Sequence, residues 1–307
     1  IYEVKAKVVI NAAGVFCDEI RQLSNRNSNK IIAPSQGIHL VFSKSFLPGE
    51  NALMIPKTSD GRVLFAIPWH DKILIGTTDT PIEKAELEPQ AFAEEIKFIL
   101  QTAENYLAKL PQREDVLSVF VGIRPLVKSG ISQNTAKLSR DHTIEIDKSN
   151  LLTITGGKWT TYRRMAEDAV NQAVKIVGLS KKTSPTKDLK IHGFCQAAKQ
   201  FGDLAIYGAD AVKIQKLIAE NPILAEKLHE DLPYCLAEIV WSVRHEMAQT
   251  VEDVLARRTH ALFLDAKAAI EIAPTAAAIM AKELGKDEIW ITEQINEFNK
   301  TAKNYLI

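Results

Sequence analysis

Two adjacent glycines interrupt the segment LLTITGGKWTTYRRMAEDAV, residues 151–170, between an apolar run and a helical pattern. A strand-to-helix turn needs one glycine at most, so Gly156 and Gly157 together predict that a bulky group approaches the backbone there. The helix that follows offers N–H groups and the positive end of its dipole to such a group. A tight turn with a threonine cap explains the same residues without a ligand, and the sequence leaves both explanations open.

The pattern before this turn predicts a mixed layer of strands and helices. Short β-rich runs fill most of residues 1–77, with a short helix over 14–24. Residues 89–108 have helical periodicity, with Pro89 in the first turn. The runs VLSVFVGI, HTIEI and LLTIT read as further strands, and a helix is predicted from about 159 to 178.

The pattern after the turn predicts a separate helical domain. Residues 179–197 lose all periodicity and are rich in Lys, Ser and Pro, whereas the chain from 198 onward is helical in pattern. We therefore predict a mixed α/β core over residues 1–180, a linker over 181–197 and an all-helical domain over 198–307.

Charge and cysteine usage exclude several classes of function. The 38 basic and 38 acidic side chains cancel, so no global field favours nucleic acid or an anionic membrane. The apolar runs are too short to span a bilayer. Cys17, Cys195 and Cys235 lie far apart without a CxxC motif, which predicts small buried side chains in a reducing cytoplasm and no metal site.

The chain contains neither a GxGxxG motif after a strand nor a P-loop, the usual elements that cradle phosphates. It also begins with IYEVKAKVVI, in which KVVI reads as a strand, and has no initial methionine. We therefore expect a piece cut from a longer protein, with any dinucleotide-binding element upstream of Ile1.

Four local features suit a site for a flat or phosphorylated ligand. The strand in VVINAAG ends in the small residues Ala12, Ala13 and Gly14, which permit close approach to the backbone. Three cations occupy strand ends or turns: Arg124 in GIRPL, Arg140 in LSRDH and Lys158 in TGGKW. Each cation taken singly also fits a surface salt bridge, a solvated turn or a strand-end charge.

In this order and spacing, the motifs resemble the FAD-dependent glycerol-3-phosphate dehydrogenases, which belong to the D-amino-acid-oxidase-like flavoproteins. The resemblance rests on SQGIHLVF, FAIPW, IGTTDT, GIRPL, SRDHTIEI and TGGKWTTYRRMAEDAV, whereas NAAG is shared by many flavoproteins. It extends through AEIVWSVRHEMAQTVEDVLARRTHALFLDA, which resembles that family's helical C-terminal domain. It implies a flavoprotein core truncated at its N-terminus, because the family's glycine-rich strand–turn–helix has no counterpart here.

The resemblance implies roles for particular residues. Lys158 and Arg124 would hold the substrate above the flavin, Arg124 at the hydroxyl that becomes a carbonyl and Arg140 at the phosphate. His39 matches a family histidine near the substrate and would take the hydroxyl proton, although a structural strand histidine is the ordinary alternative. The residues expected at FAD are Ala12, Ala13, Gly14, Gly156, Gly157, Thr160 and Thr161.

Three hypotheses follow for function. The first is part of a dehydrogenase that oxidises glycerol 3-phosphate and passes electrons to a quinone. The second is an oxidase that uses oxygen, or a relative with another small substrate. The third is a non-catalytic substrate and interaction module. For the first, we expect a cytoplasmic protein whose parent binds peripherally to the inner face of the plasma membrane, and a homodimer. The fragment alone is expected to be inactive and to bind FAD weakly or not at all.

Overall fold

The structure is a computed structural model that describes residues 2–58, 61–128 and 141–307. Within these ranges, no helix is both long and apolar enough to cross a lipid bilayer.

Strands dominate the first half of the chain and helices the second. The strands are β1 (Val9–Asn11), β2 (Ile32–Ser43), β3 (Leu53–Ile55), β4 (Leu64–Trp69), β5 (Lys72–Gly76), β6 (Thr80–Pro81), β7 (Ser118–Val127), β8 (His142–Ile146) and β9 (Leu151–Gly156). The helices are α1 (Cys17–Ser24), α2 (Ala93–Ala103), α3 (Tyr162–Ile176), α4 (Ala211–Glu220), α5 (Leu236–Glu246), α6 (Ala261–Leu264), α7 (Ala266–Leu284) and α8 (Glu288–Ala302). This is the mixed α/β core with a helical C-terminal part that the sequence predicts.

The chain folds into two compact units that interleave along the sequence. The first unit comprises Ile1–Gly37, Asp79–Pro89 and Gly122–Lys190. The second comprises Ile38–Thr78, Gln90–Val121 and Ile191–Ile307. The predicted boundaries at 1–180, 181–197 and 198–307 stay a prediction, because these units are defined by packing and not by ancestry.

The first unit contains a small sheet in the order β1–β9–β8. β1 runs parallel to β9, and β9 runs antiparallel to β8. Leu152 and Ile154 of β9 pack against Ala169 and Ala173 of α3. The amide of the buried Asn11 donates to the carbonyl of Cys17 at 2.8 Å, so burial leaves this polar side chain satisfied.

β2 and β7 are long strands with residues in both units. In the first unit, Ser35 and Gln36 of β2 pair with β6. β7 also pairs with β2, and the Lys128 N–H just beyond β7 donates to the carbonyl of Ile31 at 2.8 Å. The start of β2 is therefore fixed by two different partner strands.

The second unit contains the antiparallel order β3–β4–β5–β2. His70 and Asp71 connect β4 to β5 as a tight turn with φ of 46° and 59°. Apolar residues of these strands pack on Ile96 and Ile99 of α2. This core is distinct from the one around α7 in the same unit.

From residue 198 to the end, the secondary structure is helical apart from one bridge between Lys227 and Cys235. α7 is rich in alanine, and its small side chains form much of the core around it. The sequence correctly predicts the helical character of this part.

The prediction of a helix over 89–108 is wrong at both ends. α2 begins at Ala93, because the Glu95 carboxylate accepts the N–H of Phe92 at 3.1 Å and caps the helix there. Pro89 therefore lies outside the first turn. The helix ends at Ala103. The N–H groups of Tyr106 and Leu107 both donate to the Ala103 carbonyl and form turns there, although the apolar periodicity continues to Leu107.

Candidate active site

The parallel pairing of β1 with β9 brings together two segments that are remote in sequence. Both strands end at the same edge, so Ala12 to Gly14 lie beside Gly156 and Gly157. The Thr155 hydroxyl donates to the carbonyl of Gly14 at 3.4 Å and connects the segments directly. Ligands of open α/β sheets bind outside the carboxyl ends of parallel strands, and this is such an edge.

The two glycines of this turn are required by the protein itself. Their φ values of 76° and 72° lie in the left-handed region that favours glycine. A Cβ on Gly156 would lie 3.0 Å from the Asp141 carbonyl oxygen and from Val127, and one on Gly157 would lie 2.6 Å from the sulfur of Met165. Packing alone thus explains why both positions are glycine, and their contact with a flavin stays a prediction.

Lys158 and the predicted threonines stand at the entrance to α3. A short 3₁₀ turn, Trp159–Thr161, precedes the helix, and Lys158 and both threonines are exposed. The Thr161 hydroxyl donates to the Lys158 carbonyl at 2.9 Å, so this hydroxyl closes the turn. The exposed Trp159 ring stacks on Tyr162 with centroids 5.9 Å apart, which gives this surface an aromatic character beside a cation.

Arg124 is held by a carboxylate that the sequence analysis did not single out. Its Nη1 donates to Oδ1 of Asp79 and to the carbonyl of Gln36, both at 3.3 Å. Asp79 was visible in the quoted motif IGTTDT, but nothing in the local pattern indicates which cation it faces. Val127, three residues further along β7, packs beside Gly156, so Arg124 lies about 10 Å along the strand from the glycine turn.

His39 belongs to the second unit and lies on β2 opposite Gly76 of β5. A Cβ on Gly76 would come within 2.3 Å of the imidazole Cδ2, so only glycine leaves room for the ring. Phe120 of β7 is a further neighbour, and its ring stacks on His39 with centroids 5.4 Å apart and planes 17° from parallel. Phe263 meets Phe120 edge-on at 5.1 Å behind it. The ring of His39 is therefore fixed in orientation, although its catalytic role stays a prediction.

Arg140, the predicted phosphate ligand, lies outside the described residues. Two residues later in the sequence, His142 on β8 pairs with Asp168 of α3 at 3.1 Å. These two side chains line a cavity of about 410 Å³ in the first unit. The cavity is bordered by Ile144, Arg164, Asn171, Gln172, Lys175 and Lys181 and by none of the predicted site residues that the structure describes.

The cysteines behave as structural residues where they are buried. Cys17 is fully buried, and desolvation raises the pKa of its thiol above the ordinary value of 9.0. All three cysteines are free thiols. Over residues 2–58, 61–128 and 141–307, the structure contains no group of three side chains placed to hold a metal ion.

Two protein-family models match the chain. The model described as FAD dependent oxidoreductase matches residues 2–163, which is more than half of the chain. The model described as the C-terminal domain of alpha-glycerophosphate oxidase matches residues 153–289. The overlap of the two matches contains the end of β9, the glycine turn and the start of α3.

Individual relatives carry consistent names. The chain is 37% identical to the mitochondrial glycerol-3-phosphate dehydrogenase of Homo sapiens, over 99% of this chain and 44% of that protein. It is 38% identical to the probable mitochondrial glycerol-3-phosphate dehydrogenase of Caenorhabditis elegans, over 92% of this chain and 42% of that protein. The chain therefore spans less than half the length of these relatives.

The fold is similar to that of a solved glycerol-3-phosphate dehydrogenase from Bacillus halodurans in complex with FAD. The TM-score is 0.82 at 27% identity, and the match covers 100% of this chain and 64% of that chain.

Proposed function

This chain belongs to the FAD-dependent oxidoreductase family, and on that premise we propose that it is part of an enzyme that oxidises sn-glycerol 3-phosphate to dihydroxyacetone phosphate. The observation that carries the proposal is the shared edge of β1 and β9, where Ala12–Gly14 and the glycine turn converge. The names of the relatives supply the substrate class.

The residues at this edge fit the isoalloxazine end of FAD. Small side chains and left-handed glycines leave the backbone accessible, and the start of α3 favours negative charge. Gly156, Gly157 and Thr160 would hold the ring, with Ala12 and Gly14 on the neighbouring strand end. When bound, FAD supplies the acceptor for the hydride that leaves C2 of the substrate.

The cations of the chain suit a phosphorylated alcohol. Lys158 would bind the substrate as a mobile point charge, and Arg140 would bind the phosphate. Arg124 would donate to the C2 oxygen and stabilise the charge that develops as its proton leaves. His39 would accept that proton at an imidazole nitrogen, since a neutral imidazole is the side chain best suited to act as a general base near neutral pH.

The electron acceptor is the least constrained part of the proposal. We favour a quinone, reached by peripheral contact of a cytoplasmic homodimer with the inner face of the plasma membrane. Oxygen is the second candidate, because residues 153–289 match a domain described from an oxidase. Stoichiometric peroxide formed during aerobic turnover would identify oxygen as the acceptor, and its absence together with reduction of a soluble quinone would identify the quinone.

The proposal is tested with the native protein that carries this chain, at its full natural length and loaded with FAD. Anaerobic addition of sn-glycerol 3-phosphate should bleach the visible flavin absorbance and yield one dihydroxyacetone phosphate per flavin. Its enantiomer, sn-glycerol 1-phosphate, is the matched control and should leave the spectrum unchanged. A flavin that stays oxidised with the correct enantiomer would refute the proposed reaction, and a colourless protein that cannot take up FAD would favour the non-catalytic module.

A further inference from the structure

The guanidinium of Arg124 is hydrogen-bonded to the protein through Nη1. Nη1 contacts both the carboxylate of Asp79 and the backbone carbonyl of Gln36, and the Arg124 side chain is only 35% exposed. Two acceptors on one nitrogen restrict rotation of the planar group, because a rotation would break both contacts at once.

Asp79 is itself held in place. Its Oδ1 accepts the hydroxyl of Ser35, a residue of β2 with no exposed surface, and the Asp79 side chain is 19% exposed. Asp79 directly precedes β6, whose Thr80 pairs with Gln36 of β2. Three strands, β2, β6 and β7, thus converge on one carboxylate and one guanidinium, and the backbone register fixes both.

We propose that Asp79 is the positioning residue that aims Arg124 at the C2 oxygen of the substrate and keeps it from acting as a phosphate ligand. The proposal rests on the function proposed above. Asp79 touches neither substrate nor cofactor in this scheme and acts through Arg124, with the Ser35 hydroxyl donating to the same carboxylate oxygen.

The charges around Arg124 and Lys158 support different roles for the two cations. A guanidinium beside a carboxylate has much of its charge compensated, so its attraction for a dianionic phosphate is weakened. A directed N–H of the same group still stabilises an oxygen that gains charge only in the transition state. Lys158 makes no ion pair with any residue in the described part of the chain, so it is the better suited of the two to bind the phosphorylated substrate in its ground state.

The decisive experiment compares Asp79→Asn with wild type in the FAD-loaded native protein, with turnover expressed per bound flavin. Asparagine keeps the shape and an acceptor oxygen but removes the charge that holds Arg124. We expect kcat to fall about tenfold to a hundredfold while KM for glycerol 3-phosphate changes less than about threefold. The inhibition constant of inorganic phosphate should decrease, because Arg124 loses its compensating partner. Asp188→Asn, an exposed carboxylate of the same unit, is the matched control and should leave all three parameters unchanged.

Two milder variants keep the proposal testable if Asp79→Asn folds poorly. Ser35→Ala removes only the hydroxyl that donates to the Asp79 carboxylate and should lower kcat about threefold to tenfold. Asp79→Glu should restore part of the turnover lost in Asp79→Asn, because it returns the charge at a shifted position. If Asp79 had a purely structural role, these variants would instead lower flavin content and Tm and leave turnover per bound flavin normal. Normal turnover per flavin in both Asp79→Asn and Ser35→Ala would overturn the proposal. If wild type itself fails to reduce FAD with glycerol 3-phosphate, the proposed function fails instead, so the two failures are distinguishable.

Discussion

At the scale of single residues, Lys158 and Arg124 differ in how firmly the protein holds them. Arg124 lies between a carboxylate and a carbonyl, whereas Lys158 extends from an exposed turn. A fixed cation is suited to stabilising a transition state, and a mobile one to capturing an anion from solution. The structure therefore gives a physical reason for assigning different tasks to the two cations.

Lys158→Ala should raise KM for glycerol 3-phosphate about tenfold or more, with a smaller effect on kcat, because it removes the proposed ionic contact, which would be equally strong in the ground and transition states. Flavin content should stay close to wild type. Steady-state kinetics and the visible spectrum of the purified native protein measure both. Loss of FAD with a normal KM would place Lys158 against the flavin instead. Lys175→Ala, a lysine of α3 outside the predicted site, serves as the control.

Glu238 is a second residue whose environment has a measurable consequence. Its carboxylate is 1% exposed and accepts the Cys235 N–H at 2.7 Å and the Tyr207 hydroxyl at 3.0 Å. Burial is the largest influence and raises the pKa of Glu238 to about 7, although both hydrogen bonds oppose the shift. The folded chain thus keeps a proton that the unfolded chain releases above an ordinary pKa of 4.5.

Glu238→Gln should stabilise the protein more at pH 8 than at pH 5. Because the folded state binds the extra proton, the wild-type contribution to the free energy of unfolding is fully present below about pH 4.5 and is lost as the pH rises to about 7. The loss is on the order of 3 kcal/mol, and glutamine removes it while keeping an acceptor and a donor in place. Burial lowers the pKa of His70 and of His260, so their contribution to the free energy of unfolding rises with pH, opposite to that of Glu238. The difference in Tm between variant and wild type at each pH is therefore the quantity to measure. The exposed Glu230→Gln is the control, and a pH-independent difference for Glu238→Gln would contradict the assignment.

At the scale of elements, local pattern predicts strands and helices well where tertiary contacts do not compete with it. HTIEI forms β8 over the predicted residues, and LLTIT forms β9 with one residue more. α2 is shorter than its periodicity because capping by Glu95 determines its start. The pattern that distinguishes buried from exposed positions carries no information on which side chain reaches back to cap a helix.

The candidate site shows the same limit more clearly. The sequence indicates that NAAG and the glycine turn suit a ligand, but their proximity depends on parallel pairing of β1 with β9 across 140 residues of chain. The partnership of Asp79 with Arg124 depends on β2 lying beside both β6 and β7. Long-range pairings of this kind have no signature in one sequence, so it does not single out Asp79, Phe120 or His142, although Asp79 and His142 lie in quoted motifs.

Gly202 and Gly208 form a matched pair for testing close backbone packing. Both lie in the 3₁₀ segment Ala198–Asp210, with φ/ψ of 58°/−127° and 53°/−123°. A Cβ on Gly202 would meet nothing within 4 Å, whereas one on Gly208 would lie 1.9 Å from the carbonyl oxygen of Gly193. Gly193 also accepts the N–H of Ala209 at 2.9 Å, so this approach is part of the local hydrogen bonding.

Gly202→Ala should cost about 1–3 kcal/mol of stability, because alanine is strained at this φ and ψ. Gly208→Ala should cost about 1–3 kcal/mol more, since the same strain is joined by a backbone collision that no side-chain rotation relieves. Urea unfolding of the two variants measures the difference directly. Equal costs would show that Gly193 can move away freely and that the close approach contributes nothing.

At the scale of the whole molecule, the described residues of the two units differ in how much apolar side chain they bury. In the first unit, the apolar cluster among these residues consists of Leu152, Ile154, Ala169 and Ala173, whereas the second unit has extended cores around α2 and α7. Since local stability follows buried apolar contact, amides of β9 should exchange with solvent faster than those of α7. The proposed FAD edge therefore lies in the unit whose local stability a bound ligand should increase more.

FAD should bind this chain weakly and protect only one edge of the first unit. The sequence of the chain has no GxGxxG loop to hold a pyrophosphate, so the adenosine diphosphate half of FAD finds no helix-capped site here. Only the isoalloxazine end would make contacts, and riboflavin should then bind with an affinity within about threefold of that of FAD. Hydrogen exchange with saturating ligand should slow at residues 9–14 and 151–161 and stay unchanged in α7, because a ligand stabilises the segments that it touches. Equilibrium dialysis with both ligands and exchange measured by mass spectrometry check these expectations. Tight, stoichiometric FAD with much weaker riboflavin would show that this chain does hold the pyrophosphate, and protection centred on α7 would move the flavin site away from the β1–β9 edge.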